Sequence, residues 1–435
     1  MITKAIFSLV YRFLRALVLL YQRIYFPFSK VANKKGFDFK GPAILVSNHP
    51  NTLMDPFFAI SQTSRRVFPL GNSSLFSPAI VAAIFNQIAI PIFRPGRDDL
   101  NSKVDNNKSF QRAFDHLANG GAIYIAPEGG SFVGRRLNPI KTGTARIALG
   151  AEAENGFGLG VQIIPVGVNY IHPNHCGHPV YIQAGQPILA KKWKEDFLEN
   201  PKDASRKMTA EITRQMQKLI LNTEDDEQDQ LLYRLQIILQ NELPLDVETN
   251  YNRTQQLLKG LKTLKENDPD TYQKTIDTAA HYRQVIKENK LTDDGISARK
   301  KGLFTPISVL GWPLSLYGYI NNFMALEIPR WLVRKLDLYI GYTSTVKILS
   351  GVFTFPIAYF LQYKIVRFFA GQPIAWFYLL SLPLSAVFYW WYTKYCRPRR
   401  GAFKWRKWAK IHTQRAEDLL KERQELLESA LRMLE

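Results

Sequence analysis

The chain has 435 residues, 46% of them hydrophobic and 13% aromatic, a composition typical of a folded rather than a disordered chain, with room for one sizeable domain plus further elements. Its formal net charge is +20, and most of that charge lies in residues 1–40 and 393–410, two basic stretches beside strongly apolar sequence. This placement predicts membrane lipids as partners and no nucleic acid, because a nucleic-acid-binding domain spreads positive charge over a face or carries a recognisable reading motif.

Residues 1–36 predict a helix that anchors the chain in the membrane interface. The segment is apolar and aromatic, but basic residues interrupt it, and it lacks the small-residue cleavage site of a signal peptide. A helix over this segment presents an aliphatic and aromatic face made of Phe7, Tyr11, Phe13, Leu14, Leu17 and Leu20. The alternative is a helix that packs against a protein core.

Residues 37–200 predict an α/β domain with a largely parallel sheet flanked by helices. Apolar β-rich runs alternate with helix-like stretches such as Asn106–Leu117 and Thr142–Glu152. The runs are Ala43–Val46, Ala89–Phe93, Ala122–Ala126, Gln162–Val168 and Val180–Ile182. Short continuous apolar strands separated by helices are typical of a parallel sheet that is covered on both faces.

The first of these strands leads into the sequence Ser47-Asn48-His49-Pro50-Asn51-Thr52-Leu53-Met54-Asp55-Pro56. A histidine at the carboxyl end of such a strand opens into the crevice where α/β sheets bind their ligands. Its neutral imidazole can take a proton from an alcohol if a carboxylate orients the ring and stabilises its charged form. Asp55 is the obvious carboxylate, so we interpret His49 and Asp55 as a catalytic pair. A surface or helix-capping histidine is the simpler alternative for this motif alone.

Two later strands end in candidate binding groups. The strand that ends at Phe93 is followed by Arg94, whose planar guanidinium matches phosphate oxygens in pairs. The other strand leads into Pro127 and then Glu128, Gly129, Gly130 and Ser131, with Lys141 ten residues further on. A carboxylate, exposed backbone N–H groups and an ammonium group could meet there, so we predict that these residues bind substrate. The alternatives are a solvated arginine and a tight glycine turn.

The rest of the chain predicts a helical insert and transmembrane helices. Residues 201–300 contain sixteen basic and seventeen acidic residues, with helical periodicity, and predict a helical arm. Residues 301–395 contain three apolar runs, of which the last two, Val346–Tyr363 and Pro373–Tyr392, predict a pair of spanning helices. The first run, Leu303–Leu326, is interrupted by proline and glycine, which favours a re-entrant or interfacial segment.

Residues 396–435 predict a basic stretch followed by an amphipathic cytoplasmic tail. The basic residues directly follow the last apolar run, so the positive-inside rule assigns them to the cytoplasm. We therefore expect an integral membrane protein whose active site faces the cytoplasm.

The order of the motifs resembles the glycerolipid acyltransferase family, whose members transfer acyl chains to glycerol-3-phosphate or 1-acylglycerol-3-phosphate. The four blocks of that family are similar to Asn48–Asp55, Ile90–Arg94, Pro127–Ser131 and Ile163–Gly167. The resemblance covers roughly residues 37–190.

The chain departs from the usual family pattern in two blocks. Five residues separate His49 from Asp55, where the family usually has four, and Gly130 and Ser131 replace the usual threonine and arginine. The longer spacing resembles the variant in yeast-type glycerol-3-phosphate/dihydroxyacetone-phosphate acyltransferases. Those enzymes also carry Pro-Glu-Gly-Gly-Ser and C-terminal spans.

The resemblance implies direct acyl transfer. His49 would take the proton of the acceptor hydroxyl as it attacks an acyl thioester, and Asp55 would orient and stabilise the imidazolium. Arg94 would bind the acceptor phosphate, with Glu128 and Gly129 shaping that site. The donor would be acyl-CoA or acyl carrier protein, and the resemblance implies neither a cofactor nor a metal.

Two other functions are compatible with the sequence. The same chemistry could act on another lysolipid, such as an N-acyl amino acid. Alternatively, the chain could be a non-catalytic membrane scaffold that uses residues 201–300 as a partner-binding arm, although the presence of both His49 and Asp55 argues against it.

Overall fold

The computed structural model describes residues 2–72, 88–92, 106–302 and 304–435, which form two compact units. One unit comprises Met1–Glu224 together with Ile340–Thr345, and the other comprises Asp225–Tyr339 together with Val346–Glu435. All β-strands of the described residues lie in the first unit, whereas the second consists of helices and their connections.

In the part of the first unit that the structure describes, the strands form an eight-stranded sheet. Its strands are β1 Lys30–Ala32, β2 Ala43–Ser47, β3 Val67–Asn72, β4 Ile90–Ile92, β5 Ala122–Ile125, β6 Gln162–Tyr170, β7 Val180–Ala184 and β8 Ile188–Leu189. The spatial order is β1-β7-β6-β2-β5-β3-β4, and β8 also pairs with β6. The pairs β1–β7, β2–β5, β2–β6, β3–β4 and β3–β5 are parallel, whereas β6 pairs antiparallel with β7 and β8. The predicted fold class, α/β with a largely parallel sheet, is confirmed.

Helices flank this sheet. They are α1 Ile2–Tyr25, α2 Met54–Ser61, α3 Asn106–Ala118, α4 Gly143–Glu154, α5 Lys194–Glu199 and α6 Pro201–Lys218. Helix α6 begins where Asn200 accepts hydrogen bonds from two backbone N–H groups of its first turn. It packs one face, Ala204, Met208, Ile212 and Met216 at four-residue spacing, into the core around the sheet. The first unit thus extends past residue 200, where the sequence predicts the start of the helical arm.

Several helices of the second unit pack around one hydrophobic core. Helices α7 Asp226–Glu242, α8 Val247–Asn267 and α9 Pro269–Glu288 each start at an aspartate whose carboxylate accepts backbone N–H bonds. They pack with α14, Thr413–Arg432, near the C-terminus, which contributes Leu419 and Leu426 to the shared core. The amphipathic tail predicted from the sequence therefore packs against helices of the predicted arm. A short helix, α10 Asp293–Ser297, follows α9.

Three long helices complete the unit: α11 Pro306–Leu336, α12 Thr343–Ala370 and α13 Gln372–Ile411. Two segments, Ile340–Ala370 and Gln372–Ile411, are long and apolar enough to cross a bilayer. Only 22% and 17% of their most apolar windows are buried, whereas a core helix of a soluble protein is mostly buried. Polar contacts lie between the helices, such as the 2.7 Å bond from the partly buried Tyr359 hydroxyl to Oδ1 of the buried Asn322.

Candidate active site

The candidate site lies at the carboxyl ends of three neighbouring parallel strands. Strand β2 pairs with both β5 and β6, so the residues that follow β2 and β5 emerge at one edge of the sheet beside the end of β6. This edge is where open α/β sheets bind their ligands. It brings together His49 after β2, Glu128 after β5 and Tyr170 at the end of β6.

His49 and Asp55 form a hydrogen-bonded pair. His49 Nδ1 lies 3.1 Å from Asp55 Oδ2, and the side chains are 16% and 0% exposed respectively. Asp55 is in the first turn of α2. An ionised carboxylate only accepts hydrogen bonds, so Nδ1 carries a hydrogen, and in the neutral ring Nε2 then carries the lone pair. This arrangement leaves Nε2 able to accept a proton from an alcohol, and the catalytic role of His49 stays a prediction.

Two further donors fix the carboxylate of Asp55. The backbone N–H of Asn51 donates to Oδ2 at 2.6 Å, and the Tyr170 hydroxyl donates to Oδ1 at 2.6 Å. Burial and the nearby Asp55 charge raise the pKa of Tyr170 well above its usual value. The hydroxyl consequently stays protonated and acts as a donor. With three donors around it, the Asp55 carboxylate is held in one orientation.

Glu128 holds the backbone of His49. Its Oε1 accepts the His49 N–H at 2.8 Å, and its Oε2 accepts the backbone N–H of Asn138 at 3.1 Å and the side-chain Nδ2 at 2.8 Å. Glu128 is 4% exposed, and this burial raises its pKa, although the bonds from Asn138 and His49 act in the opposite direction. Both oxygens bind the protein itself, so Glu128 shapes the site by holding His49. Direct contact of Glu128 with substrate stays a prediction.

The residues after Glu128 surround the same turn. Gly129 has a φ of +68°, which favours glycine, and a Cβ there would come within 3.1 Å of the Lys141 side chain. Ser131 Oγ accepts the Thr52 N–H at 3.2 Å. Gly130 is buried between them, and Lys141 is exposed. The structure thus brings the predicted residues of this block close to the His49–Asp55 turn, and their binding roles stay predictions.

Arg94, the predicted phosphate ligand, lies outside the described residues, and its role also stays a prediction. Within the described ranges, no group of three or more His, Cys, Asp or Glu side chains is arranged to hold a metal ion.

Three residues of the site escape prediction from the sequence: Asn51, Asn138 and Tyr170. Tyr170 lies 115 positions from the aspartate that it contacts. Asn51, in contrast, lies inside the predicted motif. Its position between the histidine and the aspartate is a signal from which its contact with Asp55 could have been predicted.

Comparisons with known proteins relate this part of the chain to acyltransferases. Residues 28–169 match the protein-family model described as Acyltransferase. Over 169 residues the chain is 32% identical to glycerol-3-phosphate O-acyltransferase 2 of Saccharomyces cerevisiae, and over 208 residues it is 31% identical to glycerol-3-phosphate O-acyltransferase 1 of that yeast. These alignments cover 38% and 46% of this chain. They confirm the resemblance that the motifs indicate.

The chain spans about a quarter of the length of these yeast relatives, 22% and 26% respectively. The crystal structure of a 1-acyl-sn-glycerophosphate (LPA) acyltransferase from Thermotoga maritima aligns with a TM-score of 0.33 at 15% identity. That alignment covers 46% of this chain and 79% of the bacterial one.

Proposed function

We propose that this chain, whose residues 28–169 match the acyltransferase family, is a membrane-bound glycerolipid O-acyltransferase. In this proposal it moves a fatty acyl group from a thioester donor to a hydroxyl of glycerol-3-phosphate or 1-acylglycerol-3-phosphate. The reaction serves phospholipid synthesis. The observation that carries the proposal is the His49–Asp55 pair at the carboxyl edge of the sheet.

The pair supports direct acyl transfer by general base catalysis. His49 Nε2 takes the proton of the acceptor hydroxyl while the hydroxyl oxygen attacks the thioester carbonyl. Asp55 stabilises the imidazolium through Nδ1–H and keeps the ring in its tautomer. When the tetrahedral intermediate collapses, the C–S bond breaks and the thiolate takes the proton from His49. The ester and the free thiol leave, and the enzyme returns to its starting state without having formed a covalent acyl-enzyme intermediate.

A phosphate-bearing acceptor is supported by the printed names of the yeast relatives and by the predicted role of Arg94. Arginine binds phosphate oxygens in pairs, which would fix the position of the hydroxyl relative to His49. Lys141 is exposed beside Gly129 and supplies a further positive charge for the acceptor phosphate or for the donor. Acyl-CoA and acyl carrier protein are both anionic donors that this charge would attract.

The order of the apolar helices supports a cytoplasmic active site. If α12 and α13 cross the bilayer as a hairpin, residues 340–345 at the start of α12 and residues 393–411 at the end of α13 lie on the same side. Residues 393–410 carry eight Lys or Arg and no acid, whereas the connection on the opposite side is preceded by Lys364 and Arg367 only. The positive-inside rule then assigns residues 340–345, and the compact unit to which they belong, to the cytoplasm.

Helix α1 supports a second membrane contact. Tyr11, Arg15 and Gln22 on one face bind the α/β unit, with Arg15 Nη2 donating to the Ser61 carbonyl at 3.0 Å. The opposite face exposes the apolar side chains Leu9, Phe13, Leu20 and Ile24. An exposed apolar stripe of this kind suits the interface of a bilayer.

The test uses membranes that contain the full chain. Labelled acyl-CoA or acyl carrier protein is supplied with glycerol-3-phosphate, with 1-acylglycerol-3-phosphate, or with an N-acyl amino acid lysolipid, and the product lipid is identified. We expect acylation of a glycerol-phosphate acceptor that is lost in His49→Ala. The matched control is His281→Ala, since His281 is exposed and binds Glu422 in the helical unit. Equal product from wild type and His49→Ala would refute the catalytic assignment, and acylation of the lysolipid alone would refute the acceptor.

A further inference from the structure

The segment Ile340–Thr345 lies against the turn that carries His49 and Asp55. It belongs to the same compact unit as the sheet, although it comprises the last residues before α12 and the first three residues of that helix. In sequence, 293 positions separate Thr52 from Thr345. The family match over residues 28–169 does not include it. Its contacts with the turn are therefore a feature that the family match does not account for.

Thr52 and Thr345 form a directed chain of hydrogen bonds. Thr52 Oγ1 donates to the carbonyl oxygen of Gly341 at 3.0 Å and lies 2.7 Å from Thr345 Oγ1. A threonine hydroxyl has one hydrogen, and that of Thr52 is used on Gly341, so Thr345 donates to Thr52. Thr345 Oγ1 also accepts the backbone N–H of Leu53 at 3.4 Å. The segment thereby binds two consecutive residues between the catalytic histidine and aspartate.

Ser344 reaches Asp55 through one intermediate residue. Its hydroxyl donates to Asn51 Oδ1, and the backbone N–H of Asn51 donates to Asp55 Oδ2 at 2.6 Å. Asn51 Nδ2 donates in turn to the carbonyl oxygen of Pro173 at 2.6 Å. Ser344 and Asn51 are both 0% exposed, so water cannot take the place of a lost partner without rearrangement.

We propose that Ser344 and Thr345 are positioning residues of the active site, which hold the turn from Asn51 to Leu53 so that Asp55 stays against His49. Their effect on catalysis rests on the proposed acyl transfer. Since Thr345 lies in the first turn of α12, the geometry of the His49–Asp55 pair depends on how that long apolar helix begins. The α/β sheet alone leaves this side of the turn without its hydrogen-bond partners.

The test compares Thr345→Val with Thr345→Ser in the full chain. The valine has the shape of threonine without the hydroxyl, whereas the serine retains it. We expect kcat to fall by about 10- to 100-fold in Thr345→Val, with KM changed less than about three-fold, and to recover in Thr345→Ser. The matched control is Ser350→Ala, because among the described residues the Ser350 hydroxyl bonds only to backbone carbonyls of its own helix. A kcat for Thr345→Val equal to that control would overturn the proposal.

Hydrogen exchange supplies a readout that does not need activity. Amides of residues 51–58 should exchange about ten-fold faster in Thr345→Val, while those of α4 stay unchanged. Unchanged exchange in residues 51–58 would also overturn the proposal. Faster exchange in α4 as well would mean that the variant is globally destabilised. Exchange in residues 51–58 and in α4 would then be compared in Ser344→Ala, and the same two outcomes would support or overturn the proposal. If the wild type acylated none of the acceptors, the proposed function would fail, and exchange alone would decide the positioning role.

Discussion

The Tyr170 hydroxyl donates a 2.6 Å hydrogen bond to Asp55 Oδ1, the carboxylate oxygen that does not face His49. Tyr170 is the last residue of β6, the strand that pairs with β2 on the side away from β5. The sheet thus supplies both the histidine and a donor that fixes the orientation of its aspartate. Rotation of the Asp55 carboxylate would break this bond and the bond to His49 together.

Tyr170→Phe removes this donor and leaves the ring. We expect kcat for acyl transfer to fall about 10-fold, because Asp55 holds the imidazole less firmly. The free energy of unfolding should fall by about 1–3 kcal/mol, since Oδ1 is left buried without this partner. Steady-state kinetics and thermal unfolding of the purified protein measure the two effects.

Tyr124→Phe is the matched control for that variant. Tyr124 is also buried in the sheet, but its hydroxyl pairs with Ser47 at 2.8 Å. The control should lose stability while kcat per folded molecule stays within about two-fold of wild type. A kcat for Tyr170→Phe no lower than that of the control would contradict the role of Tyr170.

Glu128→Gln tests whether Glu128 acts by holding His49. The amide group cannot accept on both of its heavy atoms, so it turns an NH₂ either toward the two donors of Asn138 or toward the His49 N–H. We expect kcat to fall about 10-fold or more, since the His49 imidazole moves away from the substrate hydroxyl. KM should change less, because the residues that bind the substrate stay in place. Kinetics at several acceptor concentrations separate the two parameters.

Glu152→Gln makes the same change elsewhere in the unit. Glu152 is 0% exposed and accepts the backbone N–H groups of Leu159 and Val161 at 3.2 and 2.6 Å. Both variants should be less stable, but only Glu128→Gln should lower kcat per folded molecule. A rise in KM alone for Glu128→Gln would instead favour direct contact of Glu128 with the substrate.

Much of the sheet could be predicted because its strands are continuous apolar runs. The run predicted as Ala43–Val46 forms β2, and the runs that start at Ala122, Gln162 and Val180 form β5, β6 and β7. Strand β3 was not predicted, because its sequence contains Pro69 and Gly71, which usually interrupt strands. Parallel pairing with β5 and β4 overrides this local preference.

The site was predictable only where it lies in local motifs. His49, Asp55 and Glu128 each follow a strand within a few residues, so the sequence alone indicates that they meet at one edge. Tyr170 reaches the same turn through the pairing of β2 with β6, and Ser344 reaches it from the first turn of α12. Contacts across such separations depend on topology and leave no periodic signal in the sequence.

The exposed stripe of α1 should bind anionic membranes. Replacing Leu20 and Ile24 by Asp puts two negative charges on the face that would enter the interface, so we expect binding to vesicles containing anionic lipid to fall at least ten-fold. In the proposed function α12 and α13 also enter the membrane, so the measurement uses a peptide of residues 1–28 with wild-type or changed sequence. Substituting Tyr11 and Gln22, on the opposite face, by Asp is the matched control. Equal loss of binding in both peptides would contradict a one-sided interface.

Arg423 and Asp293 form a buried ion pair in the second unit. Arg423 Nε lies 2.9 Å from Asp293 Oδ1, and Nη1 lies 2.7 Å from Glu242 Oε1. Burial alone would raise the pKa of Asp293, but the hydrogen bonds and charge of Arg423 outweigh it and lower that pKa. At pH values above 3.8, the ordinary pKa of an aspartate, the ionised Asp293 therefore stabilises the folded state in full. This stabilisation is lost as the pH falls through the lowered pKa of the folded state.

Arg423→Met leaves the Asp293 carboxylate buried without its cation, so the free energy of unfolding should fall by about 3–5 kcal/mol at neutral pH. Without Arg423 the pKa of Asp293 should rise, so the deficit relative to wild type should shrink as the pH is lowered toward 4 and Asp293 becomes protonated. Denaturant unfolding in detergent at pH 7 and pH 4 measures both effects. Arg214→Met, which breaks an exposed pair with Glu211, should leave stability unchanged at either pH. A deficit for Arg423→Met that did not depend on pH would indicate lost packing rather than an unpaired charge.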